Sequence, residues 1–133
     1  MEKKDMIEEA RRYVDNAKNV LKNEEYDPYT RSYNDHKYIR AAGHYLWHAV
    51  MLALDAVFHV REDRRTRVDI EAYREVVRKR DRKILTLMNN AYQTLHLHMG
   101  YDGVLVKATC DEGFRMTNDI INRCAKLLTS SET

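Results

Sequence analysis

The chain is poor in residues that turn a backbone sharply: it has one proline and four glycines in 133 residues. That is too few for the many tight turns of an all-β chain, and a charged fraction of 33% suits long amphipathic helices. Cysteine is scarce as well. Cys110 and Cys124 lie fourteen residues apart on one predicted helix, roughly 21 Å at the helical rise. Too distant to bond each other, they read as buried free thiols suited to a reducing compartment. The opening MEKKDMIEEARRYV carries charges where a secretory signal needs an apolar core, so cytoplasm is the expected location. The sequence has no glycine-rich phosphate loop, dinucleotide fingerprint, His-Glu-x-x-His or Glu-x-x-His pattern. No cofactor is expected.

What is present is helical periodicity. A 133-residue chain with 44% hydrophobic content makes one domain, 1–133. Apolar spacing predicts an all-α, up-down antiparallel four-helix bundle with helices at about 3–23, 35–60, 69–99 and 104–129. Ile7, Ala10, Val14, Ala17 and Leu21 form the first stripe, and Pro28 stops the chain from continuing it. A tyrosine-rich connection follows, with Tyr26, Tyr29, Tyr33 and Tyr38 expected to cover one end of the bundle; stacking on bases is the alternative. Asn34 or Asp35 can cap the second helix and Asp69 the third. A bend or split near RKRDRK is allowed, Gly100 can end the third helix, and Gly103 suits a turn. The last helix is expected to bury Val106, Cys110, Gly113, Thr117, Ile120, Ile121, Cys124 and Leu128.

Residues 41–60, AAGHYLWHAVMLALDAVFHV, are apolar around most of the helical circumference. A membrane span would drag His44, His48, Asp55 and His59 into hydrocarbon, so a soluble helix is expected. Placed at 100° intervals, the residues separate into a broad core face, a second seam of Trp47, Met51, Leu54 and Phe58, and a polar stripe bearing the histidines and Asp55. A bundle helix needs one buried face. The surplus seam therefore predicts a homodimer interface, unless the third helix or a long connection folds over it.

Two groups of residues could carry function. His44 and His48 stand one turn apart, which lets both imidazoles meet one metal, but further ligands must come from other elements. A metal-dependent hydrolase built on them is the runner-up to a site without metal. Charge is the second signal. Residues 61–83 hold ten Lys or Arg against six Asp or Glu, and Arg64, Arg65, Arg67, Arg78, Lys79, Arg82 and Lys83 form a candidate phosphate-contact surface.

The pattern RAAGHYLWHAVMLALDAVF resembles the characteristic helix of the HEPN superfamily, the higher eukaryote and prokaryote nucleotide-binding domains. AYQTLHLHMGYDG leading to FRMTNDIINRCAKLL is similar to the approach to that family's last long helix. The resemblance implies a helical bundle, usually dimeric, that binds RNA or nucleotides, pairs with a nucleotidyltransferase, or in some members cleaves RNA. The RNA-cleaving members place an arginine, then four to six residues, then a histidine near the last helix. Asn89, Asn90 and Ala91 occupy that place before His96 here, and the one literal match, Arg31 with His36, stands at the start of the second helix. The expectation is a non-enzymatic, HEPN-like binding module, with a degenerate ribonuclease using Arg31 and His36 as an alternative.

Overall fold

Where the 3.6-residue period is unbroken in the sequence, one helix forms. A computed structural model of the chain describes residues 2–22, 24, 26–61 and 68–131. Helix α1 (Lys3–Lys22) buries Ile7, Ala10, Val14, Ala17 and Leu21, the whole expected stripe. Helix α2 (His36–Phe58) is capped by Asp35, whose carboxylate accepts from the Lys37 amide at 2.9 Å. It buries thirteen of its residues and touches α1, the segment before α5, and α5 (Lys107–Ser131) itself. Among the described residues, no helix is long and apolar enough to cross a membrane.

The helix expected over 69–99 is three pieces. Helix α3 (Ile70–Arg80) is capped by Asp69, and α4 (Arg82–Ala91) continues as a π-helical segment (Tyr92–Tyr101). Asp81 makes the first break. Its extended backbone (φ −155°, ψ 102°) closes α3, while its side chain accepts from the Ile84 amide at 3.0 Å to start α4. The change at Tyr92 widens the turn by one residue. In a 3.6-residue helix Leu95 and Gly100 point about 140° apart; here Thr94, Leu95, Met99 and Gly100 are all buried. Gly100, expected to end the helix, instead lies inside it against α2.

That contact is backbone on backbone. A Cβ placed on Gly43 of α2 would lie 2.6 Å from the Gly100 nitrogen, 2.7 Å from Met99 Cβ and 2.8 Å from the Leu95 carbonyl oxygen. The wide turn also carries Tyr92 and His96 over Trp47, at ring-centroid distances of 5.5 and 5.9 Å. The seam expected to face a second copy is thereby partly covered within the chain. Leu54 and Phe58 are buried, Trp47 and Met51 are half-buried, and the Arg80 guanidinium sits 5.0 Å over the Phe58 ring. Splitting the third helix is what lets it fold over α2 in this way.

Helix ends collect at two poles. Lys3, Phe58, His59, Asp81 and Leu128 line one cleft of about 450 Å³, so α1 and α4 begin where α2 and α5 end. At the other pole the His36 Nδ1 donates to the Gly103 carbonyl at 2.6 Å, and Arg40 Nε donates to the Tyr101 carbonyl at 3.2 Å. A two-stranded hairpin, β1 (Tyr26–Asp27) and β2 (Ser32–Tyr33), also sits there, pairing Tyr26 with Tyr33. Strands of two residues leave no periodicity to read. Ser32 bridges to Val106, which delays the start of α5 to Lys107 and leaves Val106 exposed rather than buried.

The close approach makes Gly43→Ala diagnostic. Alanine in an exposed helix interior stabilises by about 1 kcal/mol over glycine. At Gly43 it should instead destabilise by about 1–3 kcal/mol through overpacking, read as a lower denaturation midpoint. An unchanged or higher midpoint would mean that α2 and the π segment do not touch there.

Candidate functional site

The polar stripe of α2 divides by position. His44 and His48 lie on the exposed half, whereas Asp55 is 3% exposed because Tyr73 of α3 and Arg61 close over it. The Tyr73 hydroxyl donates to Asp55 Oδ1 at 2.9 Å and lies 3.0 Å from Oδ2. The Arg61 amide donates to Oδ1 at 3.2 Å, and its guanidinium stands 3.3 Å from Oδ2. His59 ends the helix in the left-handed region (φ 53°), its amide donating to the Asp55 carbonyl at 3.1 Å. Burial pushes the Asp55 carboxyl above the usual aspartate range, with the Tyr73 hydroxyl and the Arg61 charge pulling the other way. The same burial and the Asp55 charge push the Tyr73 phenol up, so it stays a donor. This cluster ties the end of α2 to α3.

Burial pushes the Cys110 thiol to about 11 and Cys124 to about 12, so both are neutral at physiological pH and poor nucleophiles. His48 stacks on Tyr13 at 5.7 Å. His44 lies beside the Gly100 turn, and among the described residues no three His, Cys, Asp or Glu gather to hold a metal. Arg31 is a hairpin residue with φ 55°, its carbonyl accepting from the Lys107 amide at 3.0 Å, while the His36 ring is held by Gly103.

The basic surface is redrawn. Arg64, Arg65 and Arg67 lie outside the described residues. Arg78 and Lys79 both pair with Glu75, at 2.8 and 3.4 Å, and these cations hold the Glu75 carboxyl below its usual range. One carboxylate thus offsets part of the charge of two cations. Arg82 and Lys83, by contrast, are exposed at the start of α4 with no carboxylate partner among the described residues. Lys83 joins Arg123 and Lys126 of α5 around a groove of about 340 Å³, with Leu87, Asp119 and Asn122 completing its wall. Asp119 pairs with Arg115 at 3.0 Å, and the Asn122 amide oxygen accepts from Arg11 at 3.1 Å. Arg123 is steered by Asp81, at 3.2 Å. Local charge counting found Lys83 but missed Arg123 and Lys126, because they lie about forty residues on and meet α4 only through helix packing.

The architecture defines a mostly helical protein arranged about one apolar central helix. Over residues 5–126 the chain matches a family described as a domain of unknown function (DUF5618), and it belongs to that family. Among solved structures it is similar to a protein of unknown function from Dyadobacter fermentans, with 32% identity and a TM-score of 0.81. That similarity covers 96% of this chain and 99% of the other. No curated protein matches.

The Asp55 cluster has a measurable signature. Because its folded-state pKa is raised, the folded protein holds this proton more tightly than the unfolded chain. The Asp55 contribution to stability is therefore full below the unfolded pKa and is lost as pH rises through the folded one. Wild type should gain stability relative to Asp55→Asn as pH drops from about 7 to about 4, measured by denaturant midpoints; the opposite trend would contradict this. Tyr73→Phe should cost about 1.5–3 kcal/mol at neutral pH by removing a donor to a buried carboxylate.

Proposed function

We propose that this protein is a non-enzymatic binding module of the cytoplasm. Its partner is a polyanion, RNA in the HEPN-like reading, held in the groove between α4 and α5. The frame is an up-down antiparallel four-helix bundle in which α4 and its π-helical continuation form the third member and α3 folds over the end of α2. One observation carries the function: Lys83, Arg123 and Lys126 converge on a single groove from two helices, and Lys83 and Lys126 have no carboxylate partner among the described residues. Cations fixed on a rigid helical surface gain affinity by releasing condensed counterions from phosphates. The neutral thiols and the hydrogen-bonded Asp55 support a binding rather than a catalytic role. A dimer, expected from the sequence at the Trp47 seam, would meet a face that Tyr92 and His96 already partly cover.

Binding of a short single-stranded RNA, followed by fluorescence anisotropy, tests this proposal across a salt series. The logarithm of affinity should fall linearly with that of salt, and Lys83→Ala with Lys126→Ala should reduce the slope by about one unit per contact removed. Arg78→Ala should change it less than the groove substitutions, since Glu75 offsets part of the Arg78 and Lys79 charge. Absence of binding at low salt, or a slope indifferent to the groove lysines, would remove the RNA reading.

A further inference from the structure

The α4–α5 groove contains one group that a cradle for phosphate alone would not. Asp119 lines it beside Lys83, Arg123 and Lys126, and a carboxylate there repels a passing phosphate. The Asp119 side chain is 47% exposed and engaged through Oδ2 alone, by Arg115 at 3.0 Å. Oδ1 has no partner among the described residues, and Oδ2 keeps a lone pair beyond the one Arg115 takes. Both oxygens are thus open acceptors on the groove wall.

Asn122 stands one turn further along α5 on the same wall. Its amide oxygen accepts from Arg11 of α1 at 3.1 Å, so its NH2 group is the part left to the groove. Residues three apart on a helix place their side chains side by side, close enough for one flat molecule to meet both. The wall therefore reads donor at Asn122, then two acceptors at Asp119. Leu87, half-buried on α4, adds apolar surface from the other helix. At about 340 Å³ the groove lies at the low end of small-ligand clefts, roughly 300–1,000 Å³, which suits one nucleotide rather than a run of stacked bases.

Among the RNA bases, the Watson–Crick edge that complements a donor followed by two acceptors is that of guanine, with its O6 acceptor, N1–H and N2 amine in order. Adenine and cytosine offer a carboxylate one amine beside an acceptor, and uracil one N–H between two carbonyls. Unstacked bases in single strands are read on this edge. We propose that the groove selects a guanine: Asp119 accepts from N1–H and the N2 amine, Asn122 donates to O6, and Leu87 meets the ring face. Lys83 and Lys126 hold the adjoining phosphates. This rests on the reading of the groove as an RNA site and adds to it the base that the groove prefers. It also accounts for Asp119, whose charge weakens phosphate binding but gives charge-assisted hydrogen bonds to the base.

Fluorescence anisotropy at low salt with a short oligouridylate carrying one internal guanine, adenine, cytosine or inosine tests the inference. Wild type should bind the guanine oligonucleotide about tenfold more tightly than the adenine or cytosine one. Inosine, which lacks the N2 amine, should fall between them. Asp119→Asn supplies the decisive contrast. It removes a negative charge from the phosphate path, so electrostatics alone makes it tighten every oligonucleotide alike. A base-reading Asp119 instead makes the variant bind guanine more weakly and adenine more tightly. The residue is exposed and its ion pair adds little stability, so circular dichroism should show the native helix content. Equal wild-type affinity for guanine and adenine, or a variant that tightens both, would overturn the inference and leave the RNA reading standing. Failure of every oligonucleotide to bind would remove that reading and the guanine preference with it.

Discussion

The backbone contact between Gly43 of α2 and Gly100 of the π-helical segment is the constraint around which the rest is arranged. A Cβ at Gly43 has no room, since two of its three nearest atoms belong to main chain that cannot swing aside. Bringing Gly100 to that point while keeping Leu95 and Met99 buried requires a turn wider than 3.6 residues, and the π segment supplies it. The consequences propagate along α2. Tyr92 and His96 come to rest on Trp47, and Met99 is pressed toward α5, where a Cβ on Gly113 would meet its sulfur at 2.8 Å. Three elements thus interlock at one level of the core.

Two aspartates then organise the pole where α2 and α5 end, in contrasting ways. Asp81 is mostly buried; it interrupts the third helix, starts α4 and receives Arg123. Asp55 is buried, and its charge is tolerated because a phenol, an amide and a guanidinium surround it. Replacing such a cluster with apolar side chains need not weaken a fold, whereas removing one member leaves a buried charge poorly compensated. Its effect here is geometric: it decides where α2 stops and where α3 lies.

The surface separates two kinds of stickiness. Lys83 and Lys126, which have no carboxylate partner among the described residues, gather with Arg123 near the start of α4 and along α5, while exposed aromatic rings gather at the pole carrying the hairpin. Between them, many charges are partly offset through pairs on the same helix, as with Glu75 and its two cations, or Arg115 with Glu112 and Asp119. Such exposed pairs add little stability. Their effect is to leave few places where charge is open to a partner, and so to sharpen the contrast between the groove and the tyrosine pole.

Local patterning in the sequence was enough to determine the helical class, the stripe of α1, most of the core face of α2, the Asp35 and Asp69 caps and the buried state of both cysteines. Each follows from the spacing of apolar residues or from a capping side chain within three positions, which are local physics. A break near Asp81 was legible from its charged neighbours, but the wide turn after Ala91 was not, because it answers to a glycine some fifty residues away. The inward turn of Asp55, the covering of Trp47 and the joining of Lys83 to Arg123 and Lys126 were decided only by tertiary structure. In each case the same side chains would face solvent on an isolated helix. It is the neighbouring helix, brought there by long-range packing, that makes them core, cap or groove.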